Sequence, residues 1–308
     1  MRNKFSKVLA QFAEKNRKIY IVVADISPAG AMEEFQKKNP DRFINVGVAE
    51  QTMISVCAGL SMKGMRPFAY TISTFALYRP FEMVRTDLCY QNLPVTVVGM
   101  GAGSIYSTLG ATHLTQEDVS IAKSIPNMQI IAPCDPNELS DALRYCIKDS
   151  KKPTYLRIGK AGEKVFSKNS EKWKFGKIRK IHKGKKICFL SFGPIIRFAI
   201  EISEILKKHG IYPSIYSCHT LKPFDKNGIK KIFKNYQNII IVEDHSEIGG
   251  LGEIVKVLAY ENNYKGIITA FGLKDKFIHC YGDQNDLLEK HGISKNSIYK
   301  KLKKILKI

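Results

Sequence analysis

Short uninterrupted apolar runs alternate along this chain with stretches in which apolar positions recur every three or four residues. Runs of the first kind occupy residues 19–24, 43–46, 67–70, 94–99 and 129–132. Runs of that length without polar alternation suit strands buried on both faces. Helical spacing falls between them, at 5–16 (Phe5, Val8, Leu9, Phe12), 30–38, 51–63, 80–90, 119–124 and 136–146. Regular alternation of strand and helix predicts a parallel sheet covered by helices.

Residues 162–185 break the rhythm: they are lysine-rich and hold Gly176 and Gly184 but no long apolar run. A second alternating block follows, with strands expected at 186–191, 213–216 and 239–242. Helices are expected at 195–209, 227–236, 250–260 and 294–306. The expected fold class is therefore α/β, with two consecutive helix-covered, mainly parallel sheet domains. Their bounds are 1–163 and 186–308, joined by a linker at 164–185.

Composition narrows the class. The chain has 308 residues, 44% of them hydrophobic, which suits two domains of ordinary size. No apolar run is long enough to span a bilayer. Met1-Arg2-Asn3-Lys4 leads into an amphipathic pattern and not a signal-peptide core. A cytoplasmic protein is expected, with no membrane partner. The seven cysteines are scattered and form no Cys-x-x-Cys pair, which argues against a disulfide framework or a zinc site. The net charge of +21 is weighted to the second half and dispersed over lysines. That distribution reads as a solvated surface and not as a nucleic-acid site. It can still attract phosphorylated substrates or an acidic partner subunit.

Ligands of parallel sheets sit beyond the carboxyl ends of the strands. This rule gathers residues 25–29, 46–51, 71–78 and 99–113 on one rim. In Gly47-Val48-Ala49-Glu50-Gln51 a carboxylate opens an apolar helix, where the helix dipole alone would favour it. Phe75, Tyr78 and Phe81 recur every three residues and could form a stacking wall, or simply core. His113 lies in a glycine-flanked loop. Ser27, in the first rim segment, is a candidate substrate contact.

Together and in order, these segments resemble one family, the transketolases and deoxyxylulose-phosphate synthases, in their pyrimidine-binding and C-terminal domains. The resemblance rests on Pro40-Asp-Arg-Phe-Ile-Asn-Val-Gly-Val-Ala-Glu-Gln51, Ser73-Thr-Phe75, Gly110-Ala-Thr-His113, Glu117-Asp118, Ile125-Pro-Asn-Met128 and Ala132-Pro133. It continues through Leu221-Lys-Pro223, Val242-Glu-Asp-His245 and Gly249-Gly-Leu-Gly252. It covers nearly the whole chain, more tightly over 20–160. The resemblance implies thiamine diphosphate as cofactor. It implies that Glu50 hydrogen-bonds the aminopyrimidine ring and sets its tautomer, which activates the thiazolium carbon. By the same resemblance Phe75 packs on that ring, with Tyr78 and Phe81 at neighbouring positions of the pocket. His113 meets a substrate oxygen near the reacting carbon. Arg157 and Lys160 fall where relatives bind a substrate phosphate; the alternative for that pair is a basic loop after an edge strand.

The family's diphosphate-binding signature, Gly-Asp-Gly with a later asparagine, is not found. Gly282-Asp283-Gln284-Asn285 lies too near the C-terminus and is not expected to open a helix after a buried strand. The resemblance thus implies one half of a split enzyme. An N-terminal transketolase subunit would hold the diphosphate and Mg²⁺ in an α2β2 assembly, and this chain itself would bind no metal. Two departures bear on the substrate. Thr52 stands where relatives often have asparagine or histidine. Leu109 stands where an acidic residue usually contacts a hydroxyl of the ketose donor. The leading expectation is transfer of a two-carbon ketol unit between sugar phosphates. Decarboxylating condensation, a ketoacid dehydrogenase beta subunit and a non-catalytic interaction subunit are the alternatives. His245 is expected to be structural or to lie at a subunit interface.

Overall fold

The apolar runs become strands of two sheets. A computed structural model describes residues 1–26, 31–167, 171–279, 281–306 and 308. The first sheet takes β1 (Ile19–Val23), β2 (Phe43–Asn45), β3 (Arg66–Ile72), β4 (Thr96–Met100), β5 (Gln129–Ile131) and β6 (Thr154–Ile158). These six run parallel in the order β5-β6-β4-β3-β1-β2. Every residue of β4, β5 and β6 is buried, as continuous apolar runs require when helices cover both faces.

The second sheet contains β7 (Arg179–His182), β8 (Ile187–Ser191) and β9 (Ser214–Ser217), followed in sequence by β10 (Thr220–Lys222), which leaves it. β11 (Asn238–Ser246) and β12 (Ile267–Leu273) complete it, in the order β12-β11-β8-β9-β7. β7 runs antiparallel to β9, and the other pairs of this sheet are parallel. The two consecutive, mainly parallel, helix-covered sheets are the expected fold class.

Several elements depart from the sequence reading. β7 lies within the stretch read as linker. β10 pairs antiparallel with β5, so a three-residue piece of the second half becomes an edge strand of the first sheet. The Lys222 ammonium donates to the carbonyls of Lys123 and Ile125 and holds that edge in place. Finally, Gly282-Asp283 does open a helix, Gln284–Lys290, because the Asp283 carboxylate accepts from the Asn285 N–H and caps it.

Two apolar cores bind the halves together. One joins Phe5, Leu9, Phe68 and Tyr70 to Phe189, Ile196 and Leu206. The other joins Met53, Ile54, Leu88 and Val97 to Leu190, Ile239 and Val255. Among the described residues, no helix is long and apolar enough to cross a membrane.

Candidate active site

The carboxyl ends of β2, β3, β4 and β6 deliver the rim residues to one place. β2 ends at Asn45, whose side-chain oxygen accepts from the Asp25 and Gly47 N–H groups and closes the turn. Gly47 sits at φ +73°, a conformation that favours glycine. The chain then enters the helix Glu50–Met62, and Glu50 is its first residue. The Glu50 carboxylate is 3% exposed. Arg79 Nη1 donates to both of its oxygens, at 3.1 and 3.3 Å.

β3 runs directly into the helix Ser73–Leu77. That helix presents Phe75 half-buried, and the Arg79 guanidinium carbon lies 4.3 Å from the Phe75 ring centre. The His113 ring meets the same phenyl group edge-on, with centres 5.2 Å apart at 75°. Tyr106 approaches His113 from another side at 6.2 Å, and the Lys160 ammonium lies 4.6 Å from the Tyr106 ring centre. A continuous chain of contacts therefore runs Glu50, Arg79, Phe75, His113, Tyr106, Lys160.

His113 is half-buried. Burial first, and the Arg79 charge second, lower its pKa below the ordinary imidazole value. It is therefore mainly neutral at neutral pH. Its Nδ1 lies 2.9 Å from the Thr112 hydroxyl. A neutral imidazole can both donate and accept a proton, which suits contact with a reacting oxygen.

A cavity of about 350 Å³ opens beside Phe75. Thr74, Tyr78, Gln116 and Glu117 supply polar groups to it, and Leu114 and Ile278 supply apolar ones. The Tyr78 hydroxyl donates to a Glu117 carboxylate oxygen at 2.8 Å and accepts the Glu117 N–H at 3.2 Å. Burial, then the nearby carboxylates of Asp118 and Glu117, hold Tyr78 far above the usual phenol pKa, so it stays a donor. Two polar atoms buried here, Thr74 Oγ1 and Gln116 Nε2, have no partner among the described residues. Buried polar atoms left unpaired cost free energy, and both residues belong to the wall of this cavity.

Phe81 packs half-buried against the second core and does not line this cavity. Ser27 lies outside the described residues. Arg157 lies inside β6, between β4 and β5, and is 3% exposed, which sets aside the alternative of a basic loop after an edge strand. Its Nε donates to Asp118 at 2.8 Å and its Nη2 to the Asp244 carbonyl at 2.8 Å. A guanidinium so committed ties the two halves together and is not presented to the Phe75 cavity. Lys160, two residues beyond β6, is only half-buried and does face the rim at Tyr106.

Sequence reasoning missed several of these residues. Arg79 and Tyr106 lie inside segments that the sequence singles out, and only their neighbours' geometry gives them a place. Phe277 and Ile278 come from the second half to line the cavity, and no local spacing signals that. Among the described residues, no group of three or more His, Cys, Asp or Glu side chains is arranged to hold a metal ion.

Comparison with known proteins places the chain. The family model described as "Transketolase, pyrimidine binding domain" matches residues 1–162, and "Transketolase, C-terminal domain" matches 176–298. A putative transketolase C-terminal section from Methanocaldococcus jannaschii is 34% identical over 100% of this chain and 96% of its own length. A 1-deoxy-D-xylulose-5-phosphate synthase from Caldanaerobacter subterraneus is also 34% identical, over 96% of this chain but only 47% of its own length. A solved structure described as a split gene transketolase, inactive beta4 tetramer, superposes with a TM-score of 0.88 at 29% identity. It covers 98% of this chain and 97% of that one. The transketolase of Campylobacter jejuni shares the fold at a TM-score of 0.79 and 18% identity, and this chain spans 46% of it. With both domain models matched in order across the sheets and rim just described, the chain belongs to the transketolase family.

Proposed function

We propose that this chain is the C-terminal subunit of a two-chain, thiamine-diphosphate-dependent transketolase that moves a two-carbon ketol unit between sugar phosphates in the cytoplasm. The observation that carries the reading is Glu50. A buried acid, at a helix start on the carboxyl edge of a parallel sheet, is joined through Arg79 to Phe75, whose ring meets His113. The residues present fit the cofactor's ring. Phe75 offers an aromatic face and Glu50 a carboxylate, and the unpaired Thr74 and Gln116 atoms await polar edges. When bound, thiamine diphosphate supplies a nucleophilic carbon and an electron sink.

In this reading Glu50 holds or gives up a proton at its carboxylate oxygens, which fixes the ring's protonation state. Phe75 orients the ring, and Tyr78 fixes the Glu117 wall. Phe81 backs the pocket from the core. Neutral His113 donates to or accepts from the substrate oxygen nearest the reacting carbon. Lys160 attracts the substrate phosphate, and Ser27 is a further substrate contact. The diphosphate and its Mg²⁺ belong to an N-terminal partner subunit in an α2β2 assembly. This chain spans nearly all of the transketolase C-terminal section and of the split-gene chain, and about half of the longer relatives.

Reconstitution tests the reading. Mixed with the partner, the wild-type chain should turn over ketose and aldose phosphates, and Glu50→Gln should assemble normally while turnover falls by roughly 10²–10⁴-fold. Turnover by this chain alone, or a fully active Glu50→Gln, refutes the proposal.

Leu109 adds a substrate expectation. It is 49% exposed on the rim beside Gly110 and cannot hydrogen-bond a donor hydroxyl. A site without that partner loses discrimination for the hydroxyl. The substrate is therefore proposed to differ from ordinary pentose phosphates. Two relatives, 28% and 29% identical, are each named as one of the subunits of an apulose-4-phosphate transketolase. Ordinary rates with xylulose 5-phosphate and ribose 5-phosphate would remove this expectation. The synthase relatives keep a second reading in play, decarboxylating condensation, and carbon dioxide release from pyruvate would favour it.

A further inference from the structure

Arg79 makes two contacts at once. Its flat guanidinium lies 4.3 Å from the Phe75 ring centre, and its Nη1 donates to both Glu50 oxygens. These are the same two contacts that a flat, nitrogen-bearing heterocycle would make: a stack on the phenyl face and a donor to the buried acid. A heterocycle laid on that side of the phenyl ring with a donor to that acid would meet the Arg79 guanidinium there.

We propose that Arg79 occupies the ring slot before the cofactor binds, and that the aminopyrimidine enters by displacing it. This inference rests on the thiamine diphosphate reading above. Three features suit Arg79 to leave. Its side chain is 48% exposed, so the guanidinium can reach water. Among the described residues, its side-chain hydrogen bonds run from Nη1 to Glu50 alone. It also sits at a break in the helical path, between the helix Ser73–Leu77 and the turn Phe81–Met83, just before Pro80. Proline fixes its own backbone angle and donates no N–H, so this joint is not clamped by a helical ladder.

The arrangement also explains how an acid stays buried without the cofactor. An unpaired carboxylate in a dry slot is costly. Arg79 neutralises it, and the incoming ring replaces one donor with another. What the cofactor must overcome is a partly exposed ion pair plus a cation–π contact, which together correspond to roughly a ten-fold factor in affinity.

The test compares wild type, Arg79→Ala and Arg79→Met, each assembled with the partner subunit. Binding of thiamine diphosphate in the presence of Mg²⁺ is followed by calorimetry, independently of turnover. Displacement predicts that Arg79→Ala binds about ten-fold more tightly. It also predicts that this variant of the lone chain unfolds at a lower temperature than wild type, because Glu50 has lost its cation. Arg79→Met, which keeps the stem without the donors, should also bind more tightly than wild type. Affinity that is unchanged or weakened in both variants, with wild type binding normally, overturns the displacement and leaves the cofactor reading standing. A wild-type assembly that takes up no thiamine diphosphate overturns both.

Discussion

Asp118 and Arg157 show how a single buried pair joins the two halves beneath the rim. Arg157 is 3% exposed and Asp118 fully buried, with Nε to Oδ2 at 2.8 Å. The Tyr155 hydroxyl donates to the same carboxylate oxygen. Asp118 begins the helix Asp118–Ser124, directly after Glu117, which holds Tyr78. Removing one member of a buried pair strands the other charge, at a cost of about 3–5 kcal/mol. Arg157→Ala should therefore lose about that much unfolding free energy in denaturant titrations, whether or not substrate is present. Were Arg157 a phosphate contact instead, the variant would keep its stability and raise the KM for phosphorylated substrates alone. The same pair explains why sequence alone does not place the residue inside a buried strand. A charge interrupts the apolar run at 154–158, and the aspartate that neutralises it lies far away in sequence. A sequence window sees the cost of the buried charge and not its compensation.

At the scale of elements, strands buried on both faces are legible because a covered parallel sheet demands apolar side chains at nearly every position. β1, β4 and β8 meet that demand in nearly every residue. β10 is not legible, since three residues before a proline carry no periodicity, and only the exposed edge of β5 makes them a strand. β12 begins with Ile267 53% exposed and contains Gly272, as suits an edge strand, and it blurs into its surroundings. Of the site, Glu50, Phe75, His113 and Lys160 come together as rim residues because the strands that carry them share one carboxyl edge. Caps are a further layer that sequence shows only in part. Asp135 precedes the helix Pro136–Lys148 and accepts from the Asn137 and Glu138 N–H groups. Its other oxygen takes the N–H groups of Phe166 and Ser167, so the cap also pins the chain leaving the first sheet. Asp135→Ala should cost about 2–4 kcal/mol, the sum of a lost cap and donors left without acceptors. Asp135→Asn, which keeps one acceptor oxygen, should fall between Ala and wild type in thermal melts.

Across the whole molecule, β11 carries two buried ionisable groups whose titrations oppose each other, and one of them, His245, faces Asp118 of the first half. His245, at the end of β11, has its Nδ1 2.8 Å from the Ser246 carbonyl and its Nε2 3.9 Å from Asp118. Burial lowers its pKa from 6.5 to about 4, with Asp118 offsetting only part of that effect. Between those values the unfolded chain holds the proton and the folded chain does not, so stability from this group is lost as pH falls from 6.5 to 4. Glu243, two residues earlier, accepts the Leu251 and Gly252 N–H groups at the start of the next helix. Burial raises its pKa from 4.5 to about 7, the two N–H groups working against the shift. The folded chain keeps that proton where the unfolded chain has released it, so stability from Glu243 is lost as pH rises from 4.5 to 7. Each slope is worth up to about 3 kcal/mol, and over the shared window they cancel in part. Denaturant midpoints measured from about pH 4 to 7 should expose each slope by removing the other. Relative to wild type, His245→Gln should gain stability steadily on acidification, and Glu243→Gln should lose it. The difference from wild type matters because carboxylates elsewhere titrate equally in all three proteins. If both variants track the wild-type pH profile in parallel, neither group changes its proton affinity on folding, and the opposed titrations described here are refuted.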